Sequence, residues 1–232
     1  MKSLSAENIL SASIDLNHPY GPNIDGALIP DNLTNLFEEG SFNNVDLMIG
    51  SNKNEDYMYI DESVTEKDIN RLIENYYPEY RDKILSWLDL EDPRLAMDHL
   101  TTNQVTLCPS VFIARSLSKN GNNVYQYHFT RMREGSEKIL SYHGAEIPYV
   151  FNTHDEWLPT NEDDTQLTEA MMEYWVEFAK KGTPNSINNP TWKEFGTEES
   201  YLILDLPLEN SSNLENEFCE IMINEMVERA SR

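Results

Sequence analysis

Ile69, Leu72, Ile73 and Tyr76 recur at the spacing of one helical face, and Pro78 follows them. The pattern predicts a helix over residues 65–76, opened by a Thr65–Asp68 pair that resembles a capping box. A second helix is expected near residues 81–88. A third is opened by Pro109 at its first turn and closed by NGNN. The strongest helical period lies over residues 165–181. There Leu167, Ala170, Met171, Tyr174, Trp175 and Phe178 share one face, with Gly182 just past the end and Pro184 beyond it. A last helix is expected over residues 214–229, with Ser212 and Glu215 as its capping pair.

Period-two and continuous apolar runs mark the strands. VDLMIGSN (residues 45–52) reads as a buried strand stopped by Gly50. VYQYHF (residues 124–129) alternates aromatic and polar side chains, and YLILDL (residues 201–206) is a third strand. The first forty residues read as loop, because HPYGPNIDGALIPDN concentrates Pro, Gly, Asn and Asp; NLFEEG within them is a short helix or turn. Strands that alternate with helices predict an α/β layer structure. Sites in such sheets gather at the carboxyl ends of the strands.

Composition narrows the function. The chain has 232 residues, 39% apolar and 10% aromatic, enough for a core of one domain or of part of a larger one. Forty-one acids against 17 bases give a net charge of −24, which repels nucleic acid phosphates and anionic lipid. No stretch approaches the roughly 20 apolar residues that span a bilayer, so no membrane insertion is expected. The first residues lack the apolar centre of a signal peptide. Cys108 and Cys219 are too few for a disulfide framework or a zinc site, and by themselves read as buried thiols. No metal or cofactor is called for.

The candidate chemistry is an acid and a base. An imidazole titrates near neutral pH and can move a proton from an alcohol to a leaving group, provided a carboxylate holds its other nitrogen. Glu55 follows one predicted strand and His143 lies in the loop SYHGAEIPYVF, far away in sequence. The pair is workable as two members of a triad. The alternative is that His143, one of five histidines with His18, His99, His128 and His154, is a surface or structural residue near one of many acids. The third member is absent: no Gly-x-Ser-x-Gly elbow and no His-Gly-Gly stretch occurs. Cys108, followed by Pro109, is a poor substitute nucleophile.

DGALIPDN, LFEEGSFNNVDLMIGSNKNED, YHGAEIPYVF, MMEYWVEFAKKGTPN, PTWKEF and YLILDL follow one another in an order and spacing that resembles the type-B carboxylesterases. These are the cholinesterase-like branch of the α/β-hydrolases, and bacterial para-nitrobenzyl esterases are nearest in character. The resemblance covers residues from about 20 to about 225 of the single domain 1–232.

It implies the C-terminal part of an α/β-hydrolase fold, a few central strands flanked by helices, with the N-terminal half of the sheet missing. It implies a serine carboxylic ester hydrolase that needs no cofactor, in which Glu55 is the triad acid and His143 the base. It implies that the nucleophile and oxyanion hole lie N-terminal to the matched region. The expected partners are then a small-molecule carboxylic ester and, if the chain is one half of a split gene rather than a truncated sequence or a remnant, an N-terminal half encoded upstream. The isolated chain is then expected to be inactive, and its compartment stays open.

Glu146 is implied as a hydrogen-bonding residue behind the site, and Cys108 and Cys219 as a disulfide. Trp157, Phe151 and Tyr149 are candidate acyl-pocket liners. Asn54 and Asp56 depart from the family's Asp and Gly. At Asp56 a loop that needs positive φ would be strained, and the extra charge would raise the Glu55 pKa. Those departures leave room for a non-catalytic binding module of the same fold, or for a decayed fragment.

Overall fold

The computed structural model describes residues 3–16 and 21–231. Among them the helices and strands run α1 (Ala6–Leu16), α2 (Leu33–Glu38), β1 (Leu47–Asn52), α3 (Glu66–Tyr76), α4 (Arg81–Leu85), α5 (Pro93–Thr102), α6 (Cys108–Lys119), β2 (Val124–Phe129), α7 (Ile147–Phe151), α8 (Glu162–Lys181), β3 (Ser200–Leu204), β4 (Glu209–Ser212) and α9 (Asn216–Ala230). A π-helical turn, Asn103–Leu107, joins α5 to α6. The strands lie in the order β1-β2-β3-β4, the first three parallel and β4 antiparallel to β3. This is a small mixed sheet with helices on its faces.

The two faces of β2 show why it is central. Tyr125, Tyr127 and Phe129 point to one side, where they meet Leu167, Met171 and Tyr174 of α8. Val124 points to the other, against Ala114 and Leu117 of α6. The predicted stripe of α8 is the buried face of that helix, with Trp175 and Phe178 packed at its edge. Each fully buried side chain of this size contributes about 1.5–3 kcal/mol. The helix begins three residues before the expected Thr165, because Asn161 accepts from Asp164 N–H and Asp164 accepts from Asn161 N–H. Gly182 ends it at φ 71°.

A separate helical layer of α3, α4, α5, α6 and α9 closes around Ile69, Ile73, Ile84, Leu100 and Phe218. Within it Cys108 and Cys219 are bonded, across 111 residues of chain. Asp68 accepts from both the N–H and the hydroxyl of Thr65 at the start of α3.

Several expectations are corrected. The first forty residues are not all loop: α1 forms where Ser5 caps Asn8 N–H, ahead of the Pro- and Gly-rich stretch. That helix buries nothing. His18 and the start of the HPYG stretch lie outside the described residues. Gly50 does not stop β1 but sits inside it, opposite Tyr127. A methyl group at Gly50 would run into the carbonyl and ring of Tyr127, so the glycine is there for close approach. The helix near residues 81–88 ends at Leu85. α5 and β4 were unforeseen. Ser212 and Glu215 form no capping pair: Ser212 belongs to β4, and Glu215 stands at φ 49° with no side-chain cap bond.

Candidate active site

Glu55 and His143 are brought together at the carboxyl end of the parallel strands. β1 ends at Asn52, and Lys53 N–H still extends the ladder to Phe129 C=O at 2.9 Å. The chain then turns, and Glu55 folds back so that its Oε1 accepts from Asn52 N–H at 2.7 Å. Its Oε2 lies 2.7 Å from His143 Nδ1. A carboxylate only accepts, so Nδ1 carries the proton and Nε2 is the basic atom. Glu55 is 6% exposed, whereas the His143 side chain is 65% exposed. No side-chain hydroxyl or thiol among the described residues is hydrogen-bonded to His143.

The histidine loop is locked to the acid loop. Asn54 N–H donates to Ser141 C=O at 3.2 Å. Asn52 Nδ2 donates to Tyr142 C=O at 2.8 Å and to Glu146 Oε2 at 2.6 Å. Glu146 therefore stands behind the pair through Asn52. Gly144 adopts φ 85°, which explains why a glycine follows the histidine.

Burial raises the Glu55 pKa above the usual carboxylate range; the Asn52 N–H and His143 oppose that shift, and the charge of Glu146 adds to it. The hydrogen bond to Glu55 raises the His143 pKa, against some burial, with help from the charges of Glu55, Glu146 and Asp56. Asp56 does not strain the loop. Its φ is −103°, an ordinary value, so no glycine is needed there. The upward shift of Glu55 comes first from burial, with the charge of Glu146 adding to it.

The expected pocket liners are not gathered here. Tyr149 is fully buried in the core, its hydroxyl donating to Asp164 Oδ1 at 2.7 Å. Phe151 and Trp157 are 69% and 57% exposed. Trp157 packs edge-on against Tyr142, the neighbour of His143.

Three other histidines do different work. His99 pairs with Glu215 at 3.3 Å, and His154 bonds Thr168 at 2.7 Å. His128 is held in β2, where burial pushes its pKa down to about 4. Among the described residues no group of three or more His, Cys, Asp or Glu is placed to hold a metal ion.

Sequence reasoning missed Asp98. It is fully buried on α5, accepts from Asn54 Nδ2 at 2.8 Å and from Asp56 N–H at 3.0 Å, and also from the Thr102 hydroxyl at 3.1 Å. The signal was present as Asp92-Pro93, a helix start, followed by an acid between Met97 and Leu100.

Residues 1–222 match the profile described as the carboxylesterase family. The chain belongs to the carboxylesterase family. As a carboxylesterase-family chain it is 30% identical to mouse (Mus musculus) neuroligin-3 over 198 residues, covering 72% of this chain and 24% of that protein. It is 25% identical to mouse carboxylesterase 1D over 276 aligned positions, covering 100% of this chain and 48% of the relative. A solved PNB esterase superimposes with a TM-score of 0.78 at 20% identity, over 95% of this chain and 49% of the esterase. A thermophilic PNB esterase gives 0.77 at 21%, with the same coverage. The fold is that of a type-B carboxylesterase, an α/β-hydrolase. The chain spans about half the length of carboxylesterase 1D and about a quarter of neuroligin-3. No helix among the described residues is long and apolar enough to cross a membrane.

Proposed function

We propose that this chain supplies the acid and base of a serine carboxylic ester hydrolase, with Glu55 as the acid and His143 as the base. The nucleophilic serine and the oxyanion donors come from a second part of the fold. The observation that carries this is the 2.7 Å contact from Glu55 Oε2 to His143 Nδ1. It leaves Nε2 of an exposed imidazole as the proton acceptor. A serine hydroxyl delivered there would attack the ester carbonyl. His143 would take its proton and return it to the departing alcohol, while Glu55 stabilises the imidazolium. Asn52 and Glu146 keep the two loops in register.

The second reading is a recognition module that does no chemistry. The greater identity to neuroligin-3 than to carboxylesterase 1D favours it. Its other support, the Asn54 and Asp56 departures, is weakened: Asp56 is unstrained, and Asn54 anchors the loop that holds Glu55 on His143.

The test is a graft. The chain replaces the matching half of a para-nitrobenzyl esterase, and turnover of a para-nitrophenyl ester is measured. Turnover is expected in the graft and is expected to vanish with His143→Ala. The ungrafted chain is expected to be inactive. A folded graft that turns over equally well with His143→Ala, or not at all, overturns the proposal.

A further inference from the structure

Glu55 sits in a turn with no ladder of its own. Its carboxylate has two partners, Asn52 N–H and His143, and neither fixes the backbone on the far side of the turn. Before Glu55, Asn54 N–H is bonded to Ser141 C=O of the histidine loop; the rest of the hold on the turn comes from one helix. α5 reaches the loop at two points one helical turn apart. From one, Asp98 Oδ2 accepts from Asn54 Nδ2 at 2.8 Å and Oδ1 accepts from Asp56 N–H at 3.0 Å. From the other, Arg94 donates to Tyr57 C=O at 3.0 Å and to Ile60 C=O at 3.1 Å. The residues immediately before and after Glu55 are therefore clamped by the two oxygens of one carboxylate.

We propose that Asp98 is a positioning residue for Glu55, holding both chain neighbours of the acid so that its carboxylate stays on His143. This rests on Glu55 and His143 being the working acid and base.

The energetics favour a dedicated role. Asp98 is fully buried, and no cation pairs with it among the described residues. Its charge is satisfied by neutral donors alone: the Asn54 amide, the Asp56 N–H and the Thr102 hydroxyl. Burying a carboxylate in this way is costly unless every lone pair is used. Burial accordingly raises the Asp98 pKa, and the Asn54 hydrogen bond works against that rise. An apolar side chain at position 98 would pack in the helical layer without this cost but would leave two donors of the acid loop unpaired. Asn54 fits the same scheme. A carboxylate there would face Asp98 across 2.8 Å, whereas the amide donates to it.

The experiment reads the His143 imidazole directly by NMR titration of the whole chain, its signal assigned by loss in His143→Ala. It therefore needs no nucleophile and no substrate. Glu146 and Asp56, the other acids that act on His143, are present in every variant. The wild-type midpoint is expected to lie above that of Glu55→Gln. Asp98→Ala is expected to move it down toward the Glu55→Gln value, with circular dichroism unchanged. Asp98→Asn is expected to stay near wild type, since the remaining oxygen keeps Asp56 N–H and the Asn54 amide can turn to accept. The double variant Glu55→Gln/Asp98→Ala is expected to match Glu55→Gln alone. If Asp98→Ala does not fold, Asn54→Ala removes one side of the clamp and is expected to give a smaller fall in the same direction. A fall in Glu55→Gln with none in a folded Asp98→Ala or Asn54→Ala overturns this inference alone. A wild-type midpoint equal to that of Glu55→Gln overturns the acid–base pair as well.

Discussion

Oε2 of Glu55 stands 2.7 Å from Nδ1 of His143, with the acid buried and the base exposed. The carboxylate raises the imidazole pKa, so the neutral base accumulates only above that raised value. In the esterase graft, kcat/KM is expected to fall as pH drops through it. Glu55→Gln removes the charge and the correct tautomer. It is expected to move the acid limb to lower pH and to cut kcat by about 10⁴-fold. A pH profile of para-nitrophenyl ester hydrolysis checks both.

His128 makes the fold acid-sensitive. Burial lowers its folded pKa to about 4 from an ordinary value of 6.5. The unfolded chain therefore binds a proton first as pH falls. Stability from this residue is complete above the unfolded value and is lost as pH drops toward the folded one, about 3 kcal/mol in all. His128→Phe should flatten that loss. Urea midpoints measured at pH 7 and pH 4.5 should differ less in the variant than in the wild type.

Gly50 has no room for a side chain against Tyr127. Gly50→Ala must push β1 away from β2, directly upstream of the acid loop. The expected cost is about 1–3 kcal/mol, the range for overpacking a close contact. Because the strand carries Asn52, the His143 NMR signal should shift as well. Chemical denaturation and the same spectrum test both parts.

The Cys108–Cys219 bond ties the start of α6 to α9 across 111 residues. Closing a loop of that length removes about 5 kcal/mol of unfolded-state entropy in the chain-entropy model. The variant with both cysteines changed to alanine should melt well below the wild type, and reductant should lower the wild-type melting temperature alone. A calorimetric scan with and without reductant checks this.

Much of the scaffold was legible along the chain. The α8 stripe from Leu167 to Phe178 predicted its own buried face, because a helix repeats within a few residues and its apolar side has to be covered. α3 and β2 were readable for the same reason. α1 was missed because the turn-forming residues after it coloured the whole segment. β4 was missed because ENSS has no apolar alternation and pairs only at the sheet edge, with β3. Gly50 was misread as a stop, since its reason for being glycine is the Tyr127 ring on another strand.

The site divided along the same line. The sequence by itself determined which residue types were available: an acid after one strand, a histidine before a glycine, two cysteines and no serine elbow. It also determined, through motif order, the family they resemble. Tertiary structure alone decided that Glu55 reaches His143, that Asp56 is unstrained, that Tyr149 belongs to the core, and that a buried Asp98 clamps the acid loop. The physical reason is range. Helix and strand periods are set by neighbours along the chain, whereas a hydrogen bond between residues 44 or 88 positions apart exists only once the sheet and helical layer have packed.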